Sequence, residues 1–123
     1  MISLCAMQYL PGGNDFLNAA SVGEFLSLIA HADYVVTSSF HGTAFSIIFQ
    51  RNFMSAFPHP EYAERVNSLL SIIGIRDRLI SPDEYSCKAA QLLTPIDYSQ
   101  VTPHLEAFRE SSREWLRNAL SNP

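Results

Sequence analysis

The sequence predicts an α/β fold of strand–helix–strand units around a small parallel sheet, and three observations carry the prediction. The run Asp33-Tyr34-Val35-Val36-Thr37 is apolar and β-branched with almost no polar alternation, as expected of a strand buried on both faces of a parallel sheet. Segments with apolar residues at helical spacing stand on either side of it. Turn-forming residues punctuate the chain where one period gives way to the next.

Taken in order, residues 2–7 (ISLCAM) read as a strand, and the turn residues of 9–15 (YLPGGND) open it into a loop. Ser21 with Glu24 three positions on is a capping-box signature, and Val22, Phe25, Leu26, Ile29 and Ala30 follow at helical spacing, which predicts a helix over 22–31. After the strand at 33–37 and the turn at 38–43, Ala44, Phe45, Ile47, Ile48 and Phe49 predict a second, mostly buried helix. Residues 52–57 read as a strand ended by Pro58-His59-Pro60. Residues 61–73 read as a helix with Ala63, Val66, Leu69, Leu70 and Ile73 on one side and Gly74 as its C-cap. Residues 75–80 suggest a further short strand. From Ser81-Pro82-Asp83-Glu84 a loop or brief helix runs toward Leu93, and Thr94-Pro95 interrupts it. Leu105, Phe108, Ser112, Trp115, Leu116 and Ala119 predict a long final helix over 103–120, packed on the domain and anchored by Trp115.

That order is the order of βαβ units with right-handed crossovers. The expectation is one three-layer, Rossmann-like domain over residues 1–123, partial because three or four strands make only part of a doubly wound sheet. Its edges require covering by a partner, another domain or the final helix.

At 123 residues and 47% apolar composition the chain can bury a single core. A net charge of −4 and eight scattered Lys and Arg residues supply no basic field for nucleic acid. Cys5 and Cys87 lack the spacing and histidine neighbours of a zinc site and read as buried or incidental thiols, so no metal or cofactor is expected. No apolar run reaches membrane-spanning length and no leader pattern opens the chain, which predicts a cytoplasmic protein.

The chemistry concentrates in Thr37-Ser38-Ser39-Phe40-His41-Gly42-Thr43, between a strand's carboxyl end and a helix's amino end. Ligands of open α/β sheets bind there, and a helix amino terminus offers unpaired N–H groups and partial positive charge to an anion. Ser38, Ser39 and Thr43 offer hydroxyls, Gly42 permits close approach, and His41 can donate or carry a proton. Each residue also has a plain structural reading: His41 as a helix cap, the hydroxyls as N-caps, Gly42 for packing, and Phe40, Phe45 and Phe49 as core.

The stretch 32–49, ADYVVTSSFHGTAFSIIF, resembles the signature segment of the polysaccharide pyruvyl transferase family. Residues 24–29 (EFLSLI), 65–70 (RVNSLL) and 76–80 (RDRLI) are similar to the helices and exit around it. The resemblance implies the C-terminal half of a two-domain, GT-B-like enzyme. Such an enzyme moves a pyruvyl group from phosphoenolpyruvate to a saccharide of a cell-surface polysaccharide or its precursor, as a ketal. It implies His41 as the catalytic candidate and residues Ser38, Ser39, Phe40, His41, Gly42 and Thr43 around the donor. Several relatives carry an arginine two residues before the histidine, where this chain has Ser39, so the cation must come from elsewhere. Otherwise the donor differs; Arg51, Arg65, Arg76 and Arg78 are available, with Arg65 and Arg78 the candidate anion contacts, although both also read as ordinary surface residues.

The expected partners are phosphoenolpyruvate, a saccharide acceptor, and either a missing N-terminal domain or a second copy. The expectation for the chain alone is weak anion binding without turnover. Two alternatives stand beside this reading: a GT-B-like glycosyltransferase domain using a nucleotide sugar, and a non-catalytic domain that oligomerises.

Overall fold

Ser21 starts the first helix, α1 (Val22–His31), through the predicted capping box: its hydroxyl accepts from the Glu24 N–H, and the Glu24 carboxylate accepts from the Ser21 N–H at 2.8 Å. The computed structural model describes residues 20–84, 87–88 and 93–121. The strand expected at 2–7, the turn after it and Cys5 lie outside the described residues.

From α1 the chain passes through β1 (Tyr34–Thr37), α2 (Phe40–Ile48), β2 (Asn52–Ala56), α3 (Pro60–Ile72), a 3₁₀ turn over Arg76–Arg78, β3 (Leu79–Ile80) and a 3₁₀ turn over Pro82–Glu84 to α4 (Tyr98–Ser121). The strands form one sheet in the order β1-β2-β3, and both pairings are parallel, with Thr37 opposite Ser55 and Ser55 opposite Leu79. Parallel neighbours joined through a helix are the βαβ connection that the order of elements predicts. The protein is a mixed α/β, Rossmann-like fragment with a small parallel sheet.

One face of the sheet is sealed. Val35 and Phe53 join Ile29, Ile47, Val66, Leu70 and Ile73 in a continuous core, and the phenylalanines of α2 pack against it half-buried. Val36 points the other way and is 39% exposed, so β1 is not buried on both faces. The run of branched residues concealed this difference because Val35 and Val36 are chemically alike, while the pleat sends them to opposite faces.

Helix α2 begins at Phe40 rather than Ala44, because Ser39 is its N-cap and accepts from the Gly42 N–H. Most of the turn singled out by the sequence is therefore the helix's first turn. Helix α3 ends in the pattern anticipated from Gly74. Its φ of +79° lets the Gly74 N–H donate to the Ser71 carbonyl and the Ile75 N–H to the Leu70 carbonyl, a Schellman closure.

The final helix differs most from expectation. It starts at Tyr98, where Asp97 accepts from the Ser99 N–H at 3.0 Å, and it carries Pro103 inside. Pro103 is the sixth residue, past the first turn, so it forfeits the bond to the Ser99 carbonyl, a loss offset by the docking of Val101 and Leu105 on either side of it. Only the first part of the helix docks on the domain, through buried Val101 and half-buried Leu105. Trp115 is 71% exposed and anchors nothing in this fold. The outer part is braced by its own ion pairs, Arg109 with Glu106 and both Arg113 and Arg117 with Glu110. No helix among the described residues is long and apolar enough to cross a membrane.

Candidate functional site

The turn leaves the carboxyl end of β1 with its first hydroxyl already engaged, since the Thr37 Oγ1 accepts from the Ser39 N–H at 3.1 Å. Gly42 N–H donates to the Ser39 Oγ at 3.5 Å, and Thr43 N–H donates to the Ser39 carbonyl. Among the described residues, the N–H groups of Phe40 and His41 donate to no acceptor, as a helix start leaves them. Ser38, Ser39 and His41 are exposed beside them, and Phe40 is half-buried with the His41 ring edge-on to its own at 6.1 Å between centroids.

Gly42 and Thr43 face inward. The Thr43 hydroxyl donates to the Ser39 carbonyl at 3.0 Å and shares a hydrogen with the Ser55 Oγ at 2.7 Å, while the Ser46 hydroxyl donates to the Gly42 carbonyl at 2.7 Å. Thr43, Ser46 and Ser55 are fully buried. The Thr43–Ser55 pair pins α2 onto β2, the Ser46 hydroxyl bonds within α2, and none of the three is presented to solvent. Thr43→Val, which keeps the shape and strands the Ser55 hydroxyl, is expected to cost about 1–3 kcal/mol, with Thr43→Ser costing less. Urea denaturation of the two variants measures the difference.

The two candidate arginines separate. Arg65, exposed on α3, places its guanidinium 5.4 Å from the centroid of the Phe40 ring, a cation–π stack that brings a positive charge to the turn. Arg78 is 6% exposed and lies near Tyr34, the first residue of β1, and near Tyr98, whose hydroxyl donates to the Arg51 carbonyl just before β2. That places it toward the amino end of the sheet, away from the turn, which corrects the surface reading and removes it from the anion candidates. Burial raises the hydroxyls of Tyr34 and Tyr98 above the ordinary tyrosine value, and the Arg78 charge opposes the rise. Arg51 is committed to the Phe49 carbonyl.

The other histidines are local. His31 and His104 each bond a carbonyl one helical turn back, and His59 is the N-cap residue of α3, with its ring edge-on to Tyr62. Among the described residues no group of three or more His, Cys, Asp or Glu is placed to hold a metal, and Cys87 is a free, exposed thiol.

Sequence reading missed a cavity of about 630 Å³ that opens at the carboxyl ends of β2 and β3. Phe57, Leu79 and Ile80 form its apolar floor, and Glu61, Glu64 and Asn67 of α3 form one polar wall. Their spacing of three is legible as one helix face, but nothing local says what that face borders. Arg76, Ser81 and Glu84 close the other side. Glu84 pairs with Lys88 at 2.6 Å and accepts from the Ser81 N–H and hydroxyl. Its carboxyl is thereby held down to about 2, chiefly by Lys88 and then by Ser81. Helix α3 therefore turns Arg65 toward the turn after β1 and its carboxylates toward the cavity.

A parallel sheet whose first strand leads through a hydroxyl-rich turn into a helix defines a Rossmann-like α/β fragment with a candidate site at the carboxyl ends of the strands. Residues 4–59 match the family model for polysaccharide pyruvyl transferase. Over that stretch, a little under half of the chain, the sequence is similar to the polysaccharide pyruvyl transferase family, the same family that the segment at 32–49 resembles. The match includes α1, β1, α2 and β2, and so the whole of the 37–43 turn. No curated protein and no solved structure matches the chain.

Proposed function

We propose that the amino end of α2 binds the anionic donor phosphoenolpyruvate, and that the domain serves transfer of its pyruvyl group to a saccharide as a ketal. The observation that carries this reading is Arg65 stacked on Phe40 beside the exposed Ser38, Ser39 and His41. It supplies from α3 the charge that the turn itself lacks, and the Phe40 and His41 N–H groups supply fixed donors beside it.

The chemistry needs anion stabilisation and a proton source. A sugar hydroxyl adds to the enol ether carbon of phosphoenolpyruvate as the methylene carbon takes up a proton, and a second hydroxyl then displaces phosphate. His41, exposed and adjacent to the donor N–H groups, is assigned the proton or hydrogen-bond role at the donor. The base for the attacking hydroxyl is not among the residues of this turn.

The test is a phosphoenolpyruvate titration of the chain, followed by heteronuclear NMR. Saturable shifts are expected at the amides of residues 38–42, and His41→Ala and Arg65→Ala should each weaken binding about tenfold, the value of one charge-assisted hydrogen bond. Arg117→Ala, far out on α4, should leave affinity unchanged. Binding that ignores Arg65 and His41 sinks the reading.

A further inference from the structure

The cavity at the carboxyl ends of β2 and β3 has the dimensions of a small-molecule site, its 630 Å³ falling inside the usual range of about 300–1,000 Å³. It lies where open parallel sheets take their ligands and shares helix α3 with the proposed donor turn. Its charge decides what it can accept. Glu61 and Glu64 enter no ion pair among the described residues, and Arg76 spends one donor on the Leu79 carbonyl. The wall is net acidic and would repel a phosphate or carboxylate. Carboxylates and an amide arrayed along one helix are, however, strong acceptors for neighbouring hydroxyls, and the floor of Phe57, Leu79 and Ile80 suits the apolar face of a pyranose ring.

We infer that this cavity is an acceptor subsite for a sugar unit other than the one that reacts, taking an uncharged pyranoside and excluding uronic acids, since a helix about 10 Å across separates it from the anionic donor at the α2 terminus. The inference rests on the pyruvyl-transfer reading for its role, though not for its binding chemistry. Separating the two by charge lets α3 sort an anion from a neutral polyol on its two flanks.

The experiment titrates the chain with the methyl β-pyranosides of glucose, galactose and mannose, and with methyl β-glucuronide at matched ionic strength. Each titration is run with and without phosphoenolpyruvate. Shifts are expected at the amides of Glu64, Asn67 and Ser81 with at least one neutral glycoside, and about tenfold weaker binding is expected for the glucuronide. Glu64→Gln, at an exposed position, should narrow that preference while leaving thermal unfolding unchanged.

No shift at those amides with any neutral glycoside up to about 0.1 M, in either donor condition, overturns the inference. Equal binding of the glucuronide overturns it too. Loss of phosphoenolpyruvate shifts at residues 38–42 with retained glycoside shifts would refute the donor reading alone.

Discussion

Gly42→Ala is expected to destabilise the domain by about 2–3 kcal/mol, lowering its melting temperature by roughly 10–20 °C at the 4–8 °C per kcal/mol typical of small domains. A Cβ at this position would lie 2.2 Å from the Thr37 Oγ1 and 2.9 Å from the Thr37 Cβ. A rotamer change at Thr37 could move the hydroxyl but not the Cβ, so α2 must lift from β1. The helical preference for alanine over glycine returns at most about 1 kcal/mol, too little to offset the clash. Thr37→Ala removes the nearest atom, so the double variant should recover part of the loss, and a double-mutant cycle by urea denaturation should show a favourable coupling. A Gly42→Ala protein as stable as its parent would mean that the glycine is not there for packing. The position matters for the site because His41 is the preceding residue, so lifting α2 also displaces the exposed imidazole and the free N–H groups.

Phe53→Ala should cost about 3–5 kcal/mol, a large share of the 5–15 kcal/mol that holds a domain together. Phe53 is fully buried on the central strand, pairs in register with Val35, and faces the cluster formed with Ile29, Val66 and Leu70. No partner can fill the void by moving alone, because Ile29, Val35 and the pair Val66 and Leu70 come from three different elements. Phe53→Leu should cost far less, since it keeps most of the volume. Calorimetric melting of the pair distinguishes a cavity from a mere loss of apolar area. A drop below about 1 kcal/mol for the alanine variant would show that the core collapses around the site.

Much of the fold was legible because its signals are local. The limits of α1 follow from Ser21 and Glu24, which bond each other across three residues, and the closure of α3 follows from the one residue there that takes a positive φ readily. The strand at 34–37 and the turn after it were visible in the change from a branched run to hydroxyls and glycine. Errors arose where a local rule has two outcomes. Pro103 reads as a helix start yet stands inside α4, because Tyr98, Val101 and Leu105 pack on the core on either side of it and offset the lost bond. Gly42 reads as loop yet lies inside α2, because Thr37 leaves no room for a side chain. Trp115 follows the helical period but projects past the body that would have buried it.

By itself the sequence determined the order of elements, the parallel topology that order implies, and the turn at 37–43, since these depend on residues within a few positions of one another. Only tertiary structure decided which side chains face the site. Thr43 meets Ser55 twelve residues away, Arg65 reaches Phe40 from another helix, and Arg78 folds toward the amino end of the sheet. The cavity between α3 and the ends of β2 and β3 belongs to the same class of fact. Chain spacing specifies a helix face, but which neighbour that face meets depends on packing the whole core.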